Sequence, residues 1–166
     1  MDKLTKRRRR FETVVNTYAK DAFRFAFWLC KDRHTAEDIV QESFTRAWKA
    51  LDQLTDDKAA KSWLFTIIRR ENARRFERYK PQMEVLDPND ITATSKETYD
   101  TSIEAFVLRQ ALAQLNDDYR EPLMLQVLGG YSMEEIAQQL GLSKGAVMTR
   151  VHRARQKLRL VLGEQK

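Results

Sequence analysis

Capping and turn signals between Ser132 and Val147 constrain the fold more than any other feature of the chain. Ser132 is followed three residues later by Glu135, the spacing at which each side chain can hydrogen-bond to the other residue's backbone N–H at a helix start. Ala137, Gly141 and Val147 then fall at offsets of 0, 4 and 10. A small residue lets two helices approach, a glycine permits a tight left-handed turn, and a branched apolar residue packs the second helix on the first. The spacing predicts a helix-turn-helix.

The second helix of this motif is predicted to begin after Ser143 as its cap and to have two different faces. The segment from Ser143 to Arg159 carries six basic side chains and no acidic one. Apolar residues spaced i, i+4, i+7 and i+11 predict a buried face, made of Val147, Val151, Ala154 and Leu158. The opposite face is basic and suited to a polyanion. The residues that point away from the buried face are Met148, Thr149, His152, Arg153, Arg155 and Arg159.

Composition narrows the possible partners and sites. The chain has 166 residues, 42% of them hydrophobic, and a net charge of +6, which favours an anionic partner such as nucleic acid or a membrane surface. The single cysteine, Cys30, excludes an internal disulfide, and with only two histidines we expect no structural metal and no cofactor. No stretch approaches the ~18 apolar residues of a membrane span, and the N-terminus does not resemble a signal peptide. We therefore expect a cytoplasmic protein that is not inserted in a membrane.

The charge distribution divides the chain into three parts. Residues 1–80 carry a net charge of +8, residues 81–104 carry −5 and residues 105–166 carry +3. The middle part contains two of the three prolines and has no helical apolar period, so we predict a flexible acidic linker. Helical periods run through both flanking parts, and the alternating β-branched runs of strands are absent. The sequence predicts an all-α fold of two small helical domains, residues 1–80 and 105–166.

Two helices are predicted in the first half of the first domain. The first has an apolar stripe between Phe11 and Cys30, and the arginines of residues 7–10 before it are expected to form a solvated, frayed helix start, with phosphate contact as the alternative. The second helix is expected to begin at a Thr35 cap and to bury Val40, Phe44, Ala47 and Leu51. Its other face is polar and acidic, and a simple solvated face is the ordinary interpretation of such a pattern. That face includes Asp38, Gln41, Glu42 and Thr45.

A third helix is predicted to begin at a Ser62 cap and to pack through Trp63, Leu64 and Ile67. Its second half is strongly basic, and the helix also contains Phe65, Phe76 and Tyr79. Cations interleaved with rings are typical of surfaces that bind single-stranded nucleic acid. Phe76 taken alone is expected to lie in the core. The basic residues are Arg69, Arg70, Arg74, Arg75, Arg78 and Lys80.

Three stretches of the chain, HTAEDIVQESFTRAWKAL, SWLFTIIRRENARRFER and YSMEEIAQQLGLSKGAVMTRVHRARQKL, together resemble the extracytoplasmic-function (ECF) sigma factors of bacterial RNA polymerase. They occur in the same order as in that family and cover nearly the whole chain. The resemblance implies two domains, region 2 and region 4, which bind core polymerase and recognise the −10 and −35 promoter elements. It implies no catalytic residue, and it implies an anti-sigma factor, often membrane-bound, as a further partner.

The resemblance assigns the candidate residues to three surfaces. The acidic helix face would bind core polymerase, chiefly the coiled coil of its β′ subunit, through Asp38, Gln41, Glu42 and Thr45. The loop from Asp52 to Lys61 corresponds to the one that captures a base flipped from the −10 element. Contacts to −10 DNA would come from Lys58, Lys61, Ser62, Arg69, Arg70, Arg74 and Arg78. Contacts to −35 DNA would come from Ser143, Lys144, Met148, Thr149, His152, Arg153 and Arg155.

Two departures from the family pattern affect the expected DNA preference. Arg70 and Arg74 stand where the family commonly has an amide and a carboxylate, which adds attraction for phosphate. Met148 stands where the family often has Lys or Arg, so an apolar contact, for instance with a thymine methyl group, replaces a hydrogen bond to a base.

Two other classes of function remain alternatives. A free-standing helix-turn-helix regulator would account for the C-terminal third but not for the acidic face or the basic third helix. An enzyme would need a nucleophile, a general base or a bound metal. His34 and His152 are 118 residues apart, the chain has one cysteine, and no glycine-rich phosphate loop is present, so an enzyme is disfavoured.

Overall fold

The computed structural model describes residues 2–78 and 102–163, and all regular structure in these ranges is helical. The elements are α1 (Lys3–Cys30), α2 (Arg33–Ala50), two single-turn 3₁₀ helices (Leu51–Gln53 and Asp57–Ala59), α3 (Ala60–Arg78), α4 (Ile103–Gln114), α5 (Asp117–Val127), α6 (Met133–Leu140) and α7 (Lys144–Gly163). They form two compact units, Met1–Met83 and Glu84–Lys166. The predicted all-α fold of two helical domains is confirmed.

Of the two predicted domain boundaries, only the start of the second domain lies within the described residues. Of the predicted linker, residues 81–104, the part up to residue 101 lies outside the described residues. Helix α4 begins at Ile103, two residues before the predicted start of the second domain, because the hydroxyl of Ser102 accepts a hydrogen bond from Ala105 N (3.2 Å) and caps the helix.

The first unit is a three-helix arrangement in which α1, α2 and α3 all contact one another. Its core contains the fully buried rings of Phe25, Phe27 and Phe65 together with Ile39 and Leu64. The rings of Phe25 and Phe65 stack with their centroids 4.6 Å apart. Each such side chain contributes roughly 1.5–3 kcal/mol through burial, so this cluster joins α1 to α3 strongly.

Only part of each predicted stripe of α2 and α3 is buried. Ala47, Leu51 and Leu64 are buried as predicted, whereas the other buried positions are shifted by one residue. In α2 the buried residues are Ala36, Ile39, Ser43 and Ala47, whereas Val40 and Phe44 are half-buried. In α3 they include Leu64, Phe65 and Ile68, whereas Trp63 and Ile67 are half-buried. Each helix packs against two others, so its buried face is centred between its neighbours. Small side chains occupy the close contacts of α2, and a stripe drawn from large apolar residues misses them.

Both predicted helix caps in this unit are wrong. Helix α2 begins at Arg33, and its cap is Asp32, whose carboxylate accepts hydrogen bonds from Thr35 N (2.9 Å) and Thr35 Oγ1 (2.6 Å). These bonds hold the pKa of Asp32 below its ordinary value. Helix α3 continues from a 3₁₀ turn capped by Asp56, so Ser62 lies in its first turn and donates to Ala59 O (3.2 Å). Sequence spacing alone did not reveal these earlier starts.

The last residue of α1 is Cys30, the one cysteine of the chain. Cys30 is half-buried, and its Sγ donates to Asp32 O at 3.3 Å. Burial raises the pKa of its thiol to about 11, so the group is protonated at neutral pH.

The second unit packs α4, α5 and α6 around α7, with Leu125, Ile136 and Val147 in its core. The buried Arg120 of α5 joins the end of α4 to this core through bonds to three carbonyl oxygens. After α5 the chain turns at Gly129, where a Cβ would lie 2.6 Å from Leu125 O. In neither described range is a helix long and apolar enough to cross a bilayer.

Candidate nucleic-acid and protein interfaces

The helix-turn-helix predicted from the sequence is present in α6 and α7. Ser132 Oγ accepts from Glu135 N (3.1 Å), and Glu135 Oε1 accepts from Ser132 N (3.3 Å), which completes the capping box. Gly141 has a left-handed backbone (φ 65°), and its N–H donates to the carbonyl of Ala137. Ala137 and Val147 are buried where the two helices meet. The predicted helix-turn-helix is confirmed.

Helix α7 has the two faces expected of it. Ser143 Oγ accepts from Ala146 N (3.1 Å), which confirms the cap. Val147, Val151 and Ala154 are buried, and Leu158 is half-buried because little of the unit covers the end of the helix. All seven candidate −35 residues are exposed. They are Ser143, Lys144, Met148, Thr149, His152, Arg153 and Arg155.

The exposed cations of α7 differ in how firmly they are held. Lys144 Nζ lies 2.5 Å from Glu134 Oε1 of α6, and this contact lowers the pKa of Glu134. Arg155 Nη2 donates to Gln126 Oε1 of α5 at 2.6 Å. Arg153 forms no hydrogen bond or ion pair with another described residue. Its guanidinium is therefore more readily redirected toward a ligand than that of Arg155, which is already oriented.

The acidic face of α2 forms an exposed stripe. Asp38, Gln41 and Thr45 are exposed and Glu42 is half-buried, and their spacing of i, i+3, i+4 and i+7 puts them on one side of the helix. Asp38 Oδ2 lies 3.7 Å from Arg75 of α3.

A buried carboxylate beneath this stripe was missed by the sequence analysis. The side chain of Glu71 is 8% exposed, and its Oε2 lies 2.9 Å from Arg46 Nε and 3.5 Å from Arg74 Nη1. The contact with Arg46 lacks the alignment of a hydrogen bond, so charge attraction is what holds the pair. Arg46 Nε also lies 3.3 Å from Glu42 Oε1. Glu71 falls on the buried side of α3, and this position is the sequence feature from which its burial could have been predicted.

Helix α3 presents a row of cations along its exposed side. Arg70, Arg74 and Arg78 are exposed and recur every four residues, whereas Arg69 is half-buried. Lys58 is exposed, and Lys61 is half-buried with its Nζ 3.2 Å from Asp21. The seven candidate −10 residues thus lie along α3 and the turn that precedes it.

The aromatic residues of α3 do not occupy the predicted positions. Phe65 is fully buried against Phe25 and is unavailable for stacking on a base. Phe76 is 63% exposed, so its expected place in the core is wrong. The last buried residue of α3 is Glu71, and the final two turns have little cover. Tyr79, like Lys80, lies outside the described residues.

The arginines of residues 7–10 do not form a frayed helix start. Helix α1 begins at Lys3, and two of the four side chains reach across to the loop between α2 and α3. Arg7 Nη2 donates to Trp48 O (2.6 Å), and Arg10 Nη2 lies 2.7 Å from Asp57 Oδ1. A cluster of cations in sequence is therefore split by the fold into two inward and two exposed side chains.

The fold and these surfaces define a two-domain, all-helical DNA-binding protein with a helix-turn-helix. The family profile described as "Sigma-70 region 2" matches residues 14–81, and the profile described as "Sigma-70, region 4" matches residues 105–158. The chain belongs to the sigma-70 family, as an ECF sigma factor of RNA polymerase. Sigma factors are transcription initiation factors and are not enzymes in themselves.

Similar proteins match over nearly the whole chain. The ECF RNA polymerase sigma factor SigL of Mycobacterium tuberculosis (strain H37Rv) is 32% identical over 158 residues, which cover 91% of this chain and 88% of the relative. SigW of Bacillus subtilis is 28% identical, with coverage of 90% and 87%. Among solved structures, the sigma factor RpoE of Bartonella quintana in complex with the anti-sigma factor NepR has a TM-score of 0.67 and 27% identity, and covers 94% of this chain and 98% of that chain. CnrH in complex with the cytosolic domain of CnrY has a TM-score of 0.61 and 28% identity, with coverage of 94% and 89%.

Proposed function

We propose that this chain directs RNA polymerase to specific promoters through three surfaces, with α2 binding core polymerase, α3 and its preceding loop binding −10 DNA, and α7 reading the −35 element. The observation that carries the proposal is that both regions of the family occur in one chain and that each of the three surfaces is solvent-accessible. We also propose that it acts in the cytoplasm, where polymerase and promoter DNA meet.

The stripe on α2 is proposed as the site for the β′ subunit of core polymerase, with further contacts to β. Support comes from the shared face of Asp38, Gln41, Glu42 and Thr45. Carboxylates on such a face favour a basic partner surface and increase its association rate. Because Asp38 and Glu42 already have arginine neighbours, their charge is oriented but remains solvent-accessible.

The loop and α3 are proposed to hold the melted −10 strand. Extruding a base from the duplex costs a few kcal/mol of stacking and pairing, which contacts to phosphate and to the base must offset. The row of Arg70, Arg74 and Arg78 supplies cations for the phosphates. Phe76 adds an exposed ring on which an unpaired base can stack, and such stacking contributes about 1–3 kcal/mol per base. Ser62, Arg69 and Phe76 recur every seven residues and so share one side of the helix.

Helix α7 is proposed to enter the major groove of the −35 element. Arg153 is assigned to a guanine, since a bidentate contact of this type discriminates by about 1–3 kcal/mol. Met148, 51% exposed, is assigned to a thymine methyl group or another apolar edge. Arg155 and Lys144 are assigned to phosphates. Thr149 and His152 complete the base-facing side.

An anti-sigma factor is proposed as the inhibitory partner. One solved structure similar to this chain, the sigma factor RpoE of Bartonella quintana, is a complex with the anti-sigma factor NepR. When that partner is membrane-bound, the chain would be held at the inner face of the membrane and released on signalling.

The test is transcription from fragmented genomic DNA of the source organism by core RNA polymerase reconstituted with this chain, with start sites mapped. We expect transcripts that depend on the chain and share a −35 and −10 pair upstream. Absence of core binding, or binding to duplex DNA without promoter-dependent transcripts, would favour the free-standing regulator instead.

The polymerase surface has a matched control. Replacing both Asp38 and Glu42 by Lys should weaken core binding while leaving the helical content unchanged. Replacing Glu12 and Glu104 by Lys changes the net charge equally at exposed positions outside α2 and should not weaken it. Equal loss in both double variants would assign the effect to net charge and would count against the α2 site.

A further inference from the structure

Two of the four consecutive arginines at residues 7–10 contact the loop of residues 51–59. Arg10 donates to Asp57 Oδ1 from Nε (2.9 Å) and Nη2 (2.7 Å), and from Nη2 also to the carbonyl of Leu54. Arg7 lies with its guanidinium carbon 4.7 Å from the centre of the Trp48 ring, and its Nη1 is 3.9 Å from Asp52. These contacts connect the start of α1 to both ends of the loop.

The other two arginines of the cluster face outward. Arg8 and Arg9 are exposed, and Arg8 pairs with Glu12 of the same helix at 3.2 Å. Arg7 and Arg10 are half-buried. The cluster therefore contains side chains of equal charge in two different environments. Substituting an exposed arginine and a loop-contacting arginine can distinguish a role in attracting DNA from a role in holding the loop.

The loop has little else to hold it. Leu51 and Leu54 are buried, and the other seven residues between 51 and 59 are exposed. Segments with few buried apolar contacts open locally at low free energy. Arg10 and Asp57 also form part of the wall of a groove of about 240 Å³ between α1 and this loop. The guanidinium of Arg10 thus fixes the backbone at Leu54 and the side chain at Asp57 simultaneously.

We infer that Arg7 and Arg10 are positioning residues for −10 recognition, which hold the loop of residues 51–59 in the shape that receives an extruded base. The inference rests on the proposed function of that loop. A loop ordered before binding loses less conformational entropy when the base arrives, and the geometry of its contacts is set in advance. Asp57 is 75% exposed, so its ion pair with Arg10 contributes little to stability. The interaction is therefore expected to affect recognition more than folding.

The test uses holoenzyme reconstituted from core RNA polymerase and the full chain, on a promoter identified by the genomic transcription experiment. The measured quantity is the ratio of open-complex formation rates on that promoter and on a version with one −10 base replaced. Arg10→Gln should reduce this ratio by about tenfold or more, since displacing a binding group by even ~1 Å has effects of this size. Core affinity should stay within about twofold of wild type, because the α2 surface is untouched.

Three variants separate positioning from charge. Arg9→Gln removes the same charge from an exposed side chain and should leave the ratio unchanged. Arg10→Lys keeps the charge but has no planar pair of donors, so it should not restore the ratio. Asp57→Ala removes the oxygen that accepts from Arg10 together with a negative charge near DNA. Loss of that charge alone would strengthen DNA binding, yet positioning predicts that the ratio falls. The double variant Arg10→Gln with Asp57→Ala should be no worse than either single variant.

The inference is overturned if Arg10→Gln and Arg9→Gln have the same ratio, if Arg10→Lys restores it, or if Asp57→Ala leaves it unchanged. These outcomes differ from a failure of the proposed function. In that case the unaltered chain would bind no core polymerase or open no promoter. Circular dichroism and thermal unfolding of each variant establish that the first unit remains folded.

Discussion

Arg120 offers the most direct test of how the second unit is held together. Its side chain is 2% exposed. It donates from Nε to Leu112 O (2.8 Å) and from Nη2 to Ala113 O (3.0 Å) and Leu115 O, while Nη1 lies 2.8 Å from Asp117 Oδ1. The last carbonyl groups of a helix have no partner within that helix. Arg120 therefore supplies the donors that the end of α4 requires.

The magnitude follows from these bonds. Replacing Arg120 by Met keeps an apolar stem of similar length but removes three hydrogen bonds to carbonyls, each with a net contribution of about 1–1.5 kcal/mol. The ion pair with Asp117 adds at most about 1 kcal/mol, because that carboxylate is 70% exposed. Burial lowers the pKa of Arg120, so its removal also relieves a desolvation cost. We expect the free energy of unfolding of the second unit to fall by about 2–4 kcal/mol.

The chain contains an internal reference for the measurement. Its three tryptophans, Trp28, Trp48 and Trp63, all lie in the first unit, so their fluorescence reports that unit, whereas far-UV circular dichroism reports both. In urea, Arg120→Met should give an earlier circular dichroism transition with an unchanged fluorescence midpoint. Asp117→Asn is the control and should change stability by about 1 kcal/mol or less.

Two results would refute this reasoning. An unchanged circular dichroism transition in Arg120→Met would mean that the carbonyls of α4 do not depend on the guanidinium. A fluorescence midpoint that shifts together with the circular dichroism would mean that the two units unfold as one.

Three further predictions concern the first unit. Ser43 is fully buried and its hydroxyl has no hydrogen-bond partner among the described residues. Ser43→Ala should therefore leave the free energy of unfolding unchanged or raise it by up to about 1 kcal/mol. Tryptophan fluorescence in urea measures this, and a lower midpoint in the variant would mean that the hydroxyl has a partner. Asp32→Ala removes the α2 cap and should lower the free energy of unfolding by about 1 kcal/mol. Hydrogen bonds from Thr35 hold the pKa of Asp32 low, so this contribution is present above the unfolded-state pKa and is lost as the pH falls through the folded-state pKa. The free energies of unfolding of variant and wild type should therefore converge in acid. A difference that stays constant with pH would contradict the cap. Phe76→Ala should shorten the lifetime of the complex between holoenzyme and a pre-melted promoter, because it removes the exposed ring. Phe76→Tyr keeps a ring and Leu4→Ala is an exposed-residue control, so neither should shorten it. Equal lifetimes for all three variants would exclude stacking on Phe76.

In the second unit, features that depend on a few neighbouring residues were predicted well, although the equally local caps of α2 and α3 in the first unit were not. The capping box, the Gly141 turn and the buried side of α7 follow from spacing, because helix caps and a left-handed turn are decided within one or two turns of backbone. Features that depend on distant residues were missed. Arg7 and Arg10 bond to residues 41 to 47 positions away, and Glu71 meets Arg46 of another helix.

Sequence spacing also did not predict which side chains of a helix are buried by its neighbours. Phe65 and Phe76 have the same chemistry and lie on the same helix, yet one ring is buried and the other exposed. The difference arises because Phe65 packs against Phe25 of α1, whereas no residue of α3 after Glu71 is buried. Likewise, a stripe of large apolar residues does not reveal that small side chains mark the closest helix contacts of α2.

The sequence by itself determined that this chain is all-helical, that it carries a helix-turn-helix, and that it resembles the family to which it belongs. Local backbone preferences and the order of motifs along the chain are sufficient for those conclusions. Only the tertiary structure decided which cations are held and which are free. Arg153 and Arg155, like Arg9 and Arg10, are equivalent as charges in a sequence, and they become different because the fold brings Gln126 and Asp57 to one member of each pair.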